Sequence, residues 1–253
     1  MIHVKSPKEI ALLRASNQIV AKTLAVLSDS VEPGISTQDL DQMAAELIHS
    51  QGGKSAFLGY KGFPANLCVS INDEVVHGIP SKKRILCSGD IVSIDCGVLK
   101  DGFFGDSAIT VPVGKCSQEA LRLIDVAYAS LDAAIEAAQV GNRLGDISHA
   151  VQKVVEDAGF SIVRDFVGHG VGRSLHEEPQ IPNYGKPNQG VRLNAGMVLA
   201  IEPMINLGDW KIKVLKDGWT AVTVDGSLSA HVEHSIALTE KGPDVLSRLE
   251  EGN

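Results

Sequence analysis

Ser88-Gly-Asp-Ile-Val-Ser-Ile-Asp95 and Ala195-Gly-Met-Val-Leu-Ala-Ile-Glu202 stand 107 residues apart (195−88) and share one pattern. Each has glycine in second place, then an apolar run, then a carboxylate at its end. The same register relates Gly34 to Gly141, Asp39 to Asp146 and Gly52 to Gly159 (141−34, 146−39 and 159−52 all equal 107). A fixed offset held over such a span reads as an internal duplication. The order helix, helix, strand, strand recurs with it, so the chain is expected to be α+β, built from two related halves at about 6–113 and 117–238. Asp95 and Glu202 should then occupy equivalent places.

Downstream of Asp95 the sequence runs Cys-Gly-Val-Leu-Lys-Asp-Gly-Phe-Phe-Gly-Asp106-Ser-Ala-Ile-Thr110. Two alternating runs around a glycine-bearing turn predict a hairpin with an aspartate on each strand. Aspartates at strand ends are commonly exposed. Asp95, however, closes a run apolar enough to be buried, and a buried carboxylate needs a cation, a metal or dense donors to stay charged. The duplication supplies Glu202, and Glu233, opening His-Ser-Ile-Ala-Leu238, partners Asp106. At 4 Å and an effective dielectric near 20, each pair among four such charges costs on the order of 4 kcal/mol. Two divalent ions would balance the four charges, which points to a two-metal site. The competing reading is a set of surface or helix-capping acids.

Among the eight histidines, His3, His49 and His149 fall in a terminus or on helices. His77, His169 and His176 fall in glycine-rich segments, where side chains serve sites more often than cores. His169, flanked by glycines, suits a metal ligand because glycine permits close backbone approach.

The surrounding chain supports the duplication. Ser6-Pro7-Lys8-Glu9 is a capping box with proline at the first helical position, and it predicts a helix to about Ser28. Ser36 with Asp39 starts a second helix that ends at Gly52-Gly53. Ser117 to about Ala138 and Asp146 to Asp157 predict two more. Strands are expected at Leu67–Ile71, Ser161–Val167, Met197–Glu202 and His231–Leu238, with short ones between Trp210 and Val224. Gly168 to about Asn194 reads as loop, and the residues after Leu238 as a polar tail.

With 253 residues and 44% hydrophobic content, the chain fits one large domain or two small ones and can bury a full core. A net charge of −8 without a basic stripe argues against nucleic acid as the main ligand. Lys82-Lys83-Arg84 reads as a solvated turn. Met1–Lys5 has no secretory h-region, no apolar run approaches the roughly 18 residues of a membrane span, and the four cysteines form no C-x-x-C pair. The expectation is a cytoplasmic protein with no membrane association.

Phe166-Val-Gly-His169-Gly-Val-Gly-Arg-Ser-Leu-His176-Glu-Glu-Pro179 resembles the signature of the type I methionine aminopeptidases. Val76-His77-Gly-Ile-Pro80, Asp95, Gly105-Asp106, Ile201-Glu202-Pro203 and Glu233-His234 follow the other blocks of that family in order, from about Ser6 to Leu238. The resemblance implies a single catalytic domain over residues 1–253 without an N-terminal extension, in the pita-bread fold, two halves about a pseudo-twofold axis around a mostly antiparallel sheet. It also implies removal of the N-terminal methionine from nascent chains and peptides with a small second residue, by a hydroxide bridging two divalent ions (cobalt, manganese, iron or zinc). Asp95, Asp106, His169, Glu202 and Glu233 would hold the ions. His77 and His176 would contact substrate, and Glu202 would shuttle the proton. Tyr60, Phe63, Cys68, Leu175 and Trp219 would line the methionine pocket with Phe57 at its edge. Phe57 and Leu175 depart from the side chains familiar in the family, so ordinary core packing is the competing reading there. Asn72 and Ser229 resemble positions that help hold a monovalent cation. A monomer is implied, and transient ribosome contact is compatible with the activity. His231, two residues before Glu233, faces the same way and is expected to support the ligands rather than bind an ion.

Prolidase and aminopeptidase P share the fold but carry a large N-terminal domain, for which a first capping box at Ser6 leaves no room. Type II methionine aminopeptidases carry an inserted helical subdomain, and none fits between Glu202 and Glu233. A fold relative that binds without catalysis would be expected to lack some of the five ligands.

Overall fold

The computed structural model describes residues 2–250. Four helices, α1 (Pro7–Ser30), α2 (Thr37–Ser50), α3 (Gln118–Ala137) and α4 (Leu144–Asp157), lie against a nine-stranded sheet. The caps read from the sequence start three of them. Ser6 Oγ accepts the Glu9 N–H, Ser36 Oγ that of Asp39 and Ser117 Oγ that of Ala120. For α4 the residue in that place is Arg143, whose N–H donates to Asp146 Oδ2 at 2.7 Å, so only the return half of a capping box secures it.

The duplication extends to individual backbone bonds. Gly34 N–H donates to Leu86 C=O and Gly141 N–H to Leu193 C=O. Gly52 closes α2 on His49 as Gly159 closes α4 on Glu156. The lone bridge Ser36–Ile85 returns as Arg143–Arg192. All these pairs share the offset of 107, as do the bounds of α2 and α4. Gly34, Gly52, Gly141 and Gly159 all have φ between +73° and +104°, the left-handed region where side-chain-bearing residues are strained. The glycines of the repeat are thus turn requirements of one chain path used twice.

In the sheet, Ile91–Lys100 pairs with Phe103–Pro112, then come Glu233–Thr239, Val198–Ile201, Gly168–Gly170 and Glu177–Ile181. Leu67–Ile71 lies beside the first hairpin strand. Side chains alternate between its faces. Val92, Ile94, Cys96 and Val98 meet α1 and α2 on the outer face with Ile19, Leu24, Leu40 and Ile48. Leu199, Ile201, Ile236 and Leu238 meet the apolar side chains of α3 and α4. Each such fully buried aliphatic side chain contributes roughly 1.5–3 kcal/mol. The other face carries Ser93, Asp95, Asp106, Glu202 and Glu233.

Three expectations need correction. The segment Ser161–Val167 is strand only at Ser161–Ile162. The glycine-rich run expected to be loop contains two sheet strands, Gly168–Gly170 and Glu177–Ile181. Glycine there serves close packing: a Cβ on Gly170 would sit 2.3 Å from Glu178 C=O, and one on Gly168 2.5 Å from Ala200 C=O. The polar tail includes Gly242–Val245, which adds a strand to Glu233–Thr239. A further finding concerns α1, which is long and apolar enough by composition to cross a membrane. Its Leu13, Val20 and Leu27 are buried without exposure, and Ser16 Oγ donates to Phe103 C=O in the hairpin, so it is a core helix of this fold.

Candidate metal centre and substrate pocket

Register assembles the centre. Cys68, Asp95, Ala108 and Glu233 are consecutive partners across four strands and therefore share a face. Asp106 lies two residues before Ala108 on that same face. His169 pairs with Ala200, two residues before Glu202. The ligating atoms of Asp106, His169 and Glu233 all lie within 4.8 Å of one another. His169 Nε2 is 3.8 Å from Asp106 Oδ2 and 3.5 Å from Glu202 Oε1. The structure thus brings together all five residues read as ligands, two from the first half and three from the second.

The halves are tied at the same place. Ser107 Oγ donates to Glu233 C=O, and Ser235 Oγ donates to Asp106 C=O at 2.7 Å. Asn17 Oδ1, from α1, accepts the Asp106 N–H. Gly105 permits this approach, because a Cβ there would meet the Asn17 backbone nitrogen at 2.6 Å.

Electrostatics then test whether cations fit. Burial, with the neighbouring carboxylates, pushes Asp106 and Glu233 well above the usual carboxylate range. Burial raises Asp95 to about 7, with Glu202 adding to it, and burial raises Glu202 to about 8. His169 is held down to about 3 by burial and by His176, so its imidazole is neutral and can offer a lone pair. Asp95 Oδ1, Asp106 Oδ1 and Glu233 Oε1 are buried with no hydrogen-bond partner. Among the described residues no lysine or arginine forms an ion pair with any of the four carboxylates. Buried unpaired carboxylates of this density need positive charge. Four oxygen donors and one imidazole on a cavity wall fit divalent ions of the manganese, iron, cobalt or zinc type.

Beside the acids is a cavity of about 280 Å³ lined by Tyr60, Phe63, Cys68, His77, Phe166, Leu175, His176 and Trp219, together with the four acids and His169. Phe57, Phe63, Cys68 and Leu175 are buried in one cluster against Tyr60 and Trp219. Phe63 meets Trp219 edge to face at 5.1 Å between centroids. Tyr60 Oη is 2.8 Å from His176 Nδ1, and the two rings stack at 5.3 Å. The His176 ring lies 4.2 Å from that of His169, tilted by 46°, which places it beside this candidate ligand. His77 has φ +62°, an uncommon conformation for a residue with a side chain, and its ring abuts Phe166 and Trp219. The next residue must be glycine, because a Cβ on Gly78 would sit 2.2 Å from Val69 C=O. Burial holds His77 down to about 4, and burial followed by Lys61 lowers His176.

Sequence reasoning missed two features. Phe166 and Val76 line the cavity, and their adjacency to the His169 and His77 motifs was the available signal. Lys5 donates to Glu177 Oε2 at 2.6 Å, while Glu177 Oε1 accepts the N–H groups of Arg173 and Ser174. This clamp shapes the loop that presents Leu175 and His176, and nothing in the local sequence around Lys5 indicates it. Asn72 and Ser229 do come together, through Ser229 N–H to Asn72 C=O at 2.8 Å. The Asn72 side chain is committed to Asp90 and the Ile91 N–H, and the Ser229 hydroxyl to Ile205 C=O.

Residues 11–240 match the profile of metallopeptidase family M24. Methionine aminopeptidase 1 of Bacillus subtilis is 52% identical over 249 residues, covering 98% of this chain and all of that protein. The methionine aminopeptidase of Clostridium acetobutylicum is 48% identical over 250 residues, covering 99% of this chain and all of the relative. The crystal structure of methionine aminopeptidase from Thermotoga maritima superposes with a TM-score of 0.97 at 47% identity, covering 98% of this chain and 100% of that one. Prolidase from Pyrococcus furiosus, at 21% identity and a TM-score of 0.76, shares the fold, and the match covers 66% of its chain.

Proposed function

Because the chain belongs to metallopeptidase family M24 and, within it, to the methionine aminopeptidases, we propose that it removes the N-terminal methionine from peptides and nascent chains whose second residue is small. Asp95, Asp106, His169, Glu202 and Glu233 would hold two divalent ions. Such ions, when bound, lower the pKa of water to give a nucleophile at neutral pH and polarise the carbonyl to be attacked.

The remaining chemistry belongs to the side chains. Tyr60, Phe63, Cys68, Leu175 and Trp219 form an aromatic and sulfur-lined slot that suits a thioether. His176 stands beside His169 and, neutral with its pKa lowered by burial, acts as a hydrogen-bond donor. With the Tyr60 hydroxyl donating to Nδ1, its proton rests on Nε2, directed at oxyanion charge on the scissile carbonyl. His77, beside Phe166 and Trp219 in the cavity lining, hydrogen-bonds the amide being cut. Glu202 is the carboxyl assigned to carry a proton between the attacking water and the leaving amine. A slot with the buried acids on its wall selects chain ends, because a residue preceding the methionine would have to occupy the acids' side of the cavity. Cytoplasm is the compartment this reading assumes, and all four cysteines are free, two of them buried.

One observation carries the proposal: carboxylates from both halves converge with unpartnered buried oxygens on the wall of an aromatic slot. The test is methionine release from Met-Ala-Ser, followed chromatographically, after exhaustive chelation and then with each divalent metal added back under anaerobic conditions. Activity should vanish and return. Release that survives complete metal removal overturns the proposal.

A further inference from the structure

His231 lies two residues before Glu233 in the short strand Ser229–His231, where it pairs with Met204, two residues after Glu202. It is 2% exposed. Its backbone is locked from both sides: the N–H donates to Thr110 Oγ1 at 3.0 Å, and the C=O accepts from that same hydroxyl at 2.6 Å. Ser93 Oγ, 2.8 Å from Thr110 Oγ1, completes the lock. Both hydroxyls come from the first hairpin, so the hairpin that carries Asp95 and Asp106 also fixes where His231 stands.

The ring is aimed at the metal centre. His231 Nε2 is buried without a hydrogen-bond partner and lies 3.7 Å from Glu202 Oε2. The other oxygen of the same carboxylate, Oε1, faces His169 Nε2 at 3.5 Å. Glu202 therefore stands between two imidazoles, one on each oxygen, and it makes no side-chain hydrogen bond of its own among the described residues. His169 Nε2 also faces Asp106 Oδ2 at 3.8 Å, whereas Glu202 is the one carboxylate within 4 Å of the His231 ring nitrogens among the described residues. This asymmetry separates their roles.

We propose that His231 is a positioning residue that donates its Nε2–H to Glu202 Oε2, fixing the carboxylate so that Oε1 stays turned toward His169 Nε2, where the two could hold an ion. A shift of about 0.8 Å by either side chain brings the pair to ordinary N–H···O length. A ligand's outer oxygen held by a fixed donor is worth about 10- to 100-fold in metal affinity. The alternative of a histidine kept only for packing leaves a buried ring nitrogen facing a carboxylate with neither one satisfied, which is costly.

The inference rests on the metal-centre reading, and the experiment separates the two. The full chain, His231→Leu and His231→Gln are stripped of metal and titrated with Co2+. The readouts are calorimetric affinity and the visible absorption of the bound ion. Thermal melts of the metal-free proteins show whether each variant folds. The Leu variant, which keeps the bulk and removes the donor, should bind Co2+ about 10- to 100-fold more weakly. The Gln variant, which returns an N–H at similar reach, should bind within about threefold of the parent with an unchanged spectrum. Parent-like affinity in the Leu variant overturns the proposal. A Gln variant as weak as the Leu variant, or one with an altered spectrum, makes the imidazole a ligand and overturns it too. Should Leu fail to fold, His231→Met, of similar bulk and also without a donor, is read in its place with the same expectations. A parent chain that takes up no Co2+ overturns the metal centre and this inference together.

Discussion

Replacing Lys5 by methionine should destabilise the protein through a residue 172 positions away from the one it serves. Lys5 and Glu177 have side-chain exposures of 6% and 10% and form an ion pair at 2.6 Å, with Lys5 Nζ also donating to His3 C=O. Removing one partner of a buried pair costs about 3–5 kcal/mol, because the other charge is stranded. Glu177 keeps the N–H groups of Arg173 and Ser174 on its other oxygen, which places Lys5→Met at the lower end, about 3 kcal/mol. The double variant Lys5→Met/Glu177→Gln has no stranded charge and should recover at least about 1 kcal/mol of that loss.

Urea unfolding at pH 7 measures these differences. The same pair fixes the pH dependence. Burial alone would raise Glu177, but Lys5 and the loop N–H groups outweigh it and its pKa is lowered. A lowered carboxylate contributes stability that is present above the unfolded value, about 4.3, and is lost as pH falls through the lower folded value. The gap between parent and Lys5→Met should therefore close as pH falls from about 5 towards 3. A gap under about 1 kcal/mol at pH 7 would refute the reasoning, as would one that widens on acidification or a double variant no more stable than the single.

Tyr60→Phe removes the partner of His176 Nδ1; a loss of about 0.5–1.5 kcal/mol corresponds to a roughly 2- to 13-fold lower kcat on Met-Ala-Ser, with bound metal unchanged by elemental analysis. Gly105→Ala forces a Cβ against the α1 backbone beside Asp106 and should cost about 1–3 kcal/mol in thermal unfolding while weakening Co2+ binding; a variant matching the parent in both measurements would show that the contact yields freely. Asp95 and Glu202, raised to about 7 and about 8 by burial, hold protons in the metal-free protein that must leave when cations enter. Apparent Co2+ affinity should therefore climb from about pH 6 to 8 with proton release, read by calorimetry in buffers of different ionisation enthalpy; a flat profile without released protons would contradict the assignment. Met-Ala peptides should be cut far faster than Met-Arg peptides in parallel kcat/KM measurements, and equal rates would contradict the proposed preference for a small second residue.

The offset of 107 was legible in the linear chain because turn chemistry is local. Gly34 and Gly141 need left-handed backbone, and Asp39 and Asp146 need to sit at the third helical position, whatever surrounds them. The convergence of the four acids was legible for a related reason: Asp95, Asp106, Glu202 and Glu233 each begin or end apolar runs, and acids so placed are anomalies unless something binds them. His169 between glycines was legible as a site residue but not as a strand residue. Its flanking glycines answer to Glu178 and Ala200, which touch them only in three dimensions.

By itself, then, the sequence determined the duplicated α+β plan, the four acids and the histidines at the site, since these follow from periodicity, turn requirements and the cost of burying charge. Tertiary structure decided which atoms meet. It placed Tyr60 against His176, locked His231 through Thr110 behind Glu202, and ran Lys5 across to Glu177. Those partners are separated by 116, 121 and 172 residues. No local propensity encodes such meetings. They arise from how strands, helix α1 and loops pack against one another in three dimensions; within the sheet, a shift of one residue would turn the acid of the shifted strand to the opposite face.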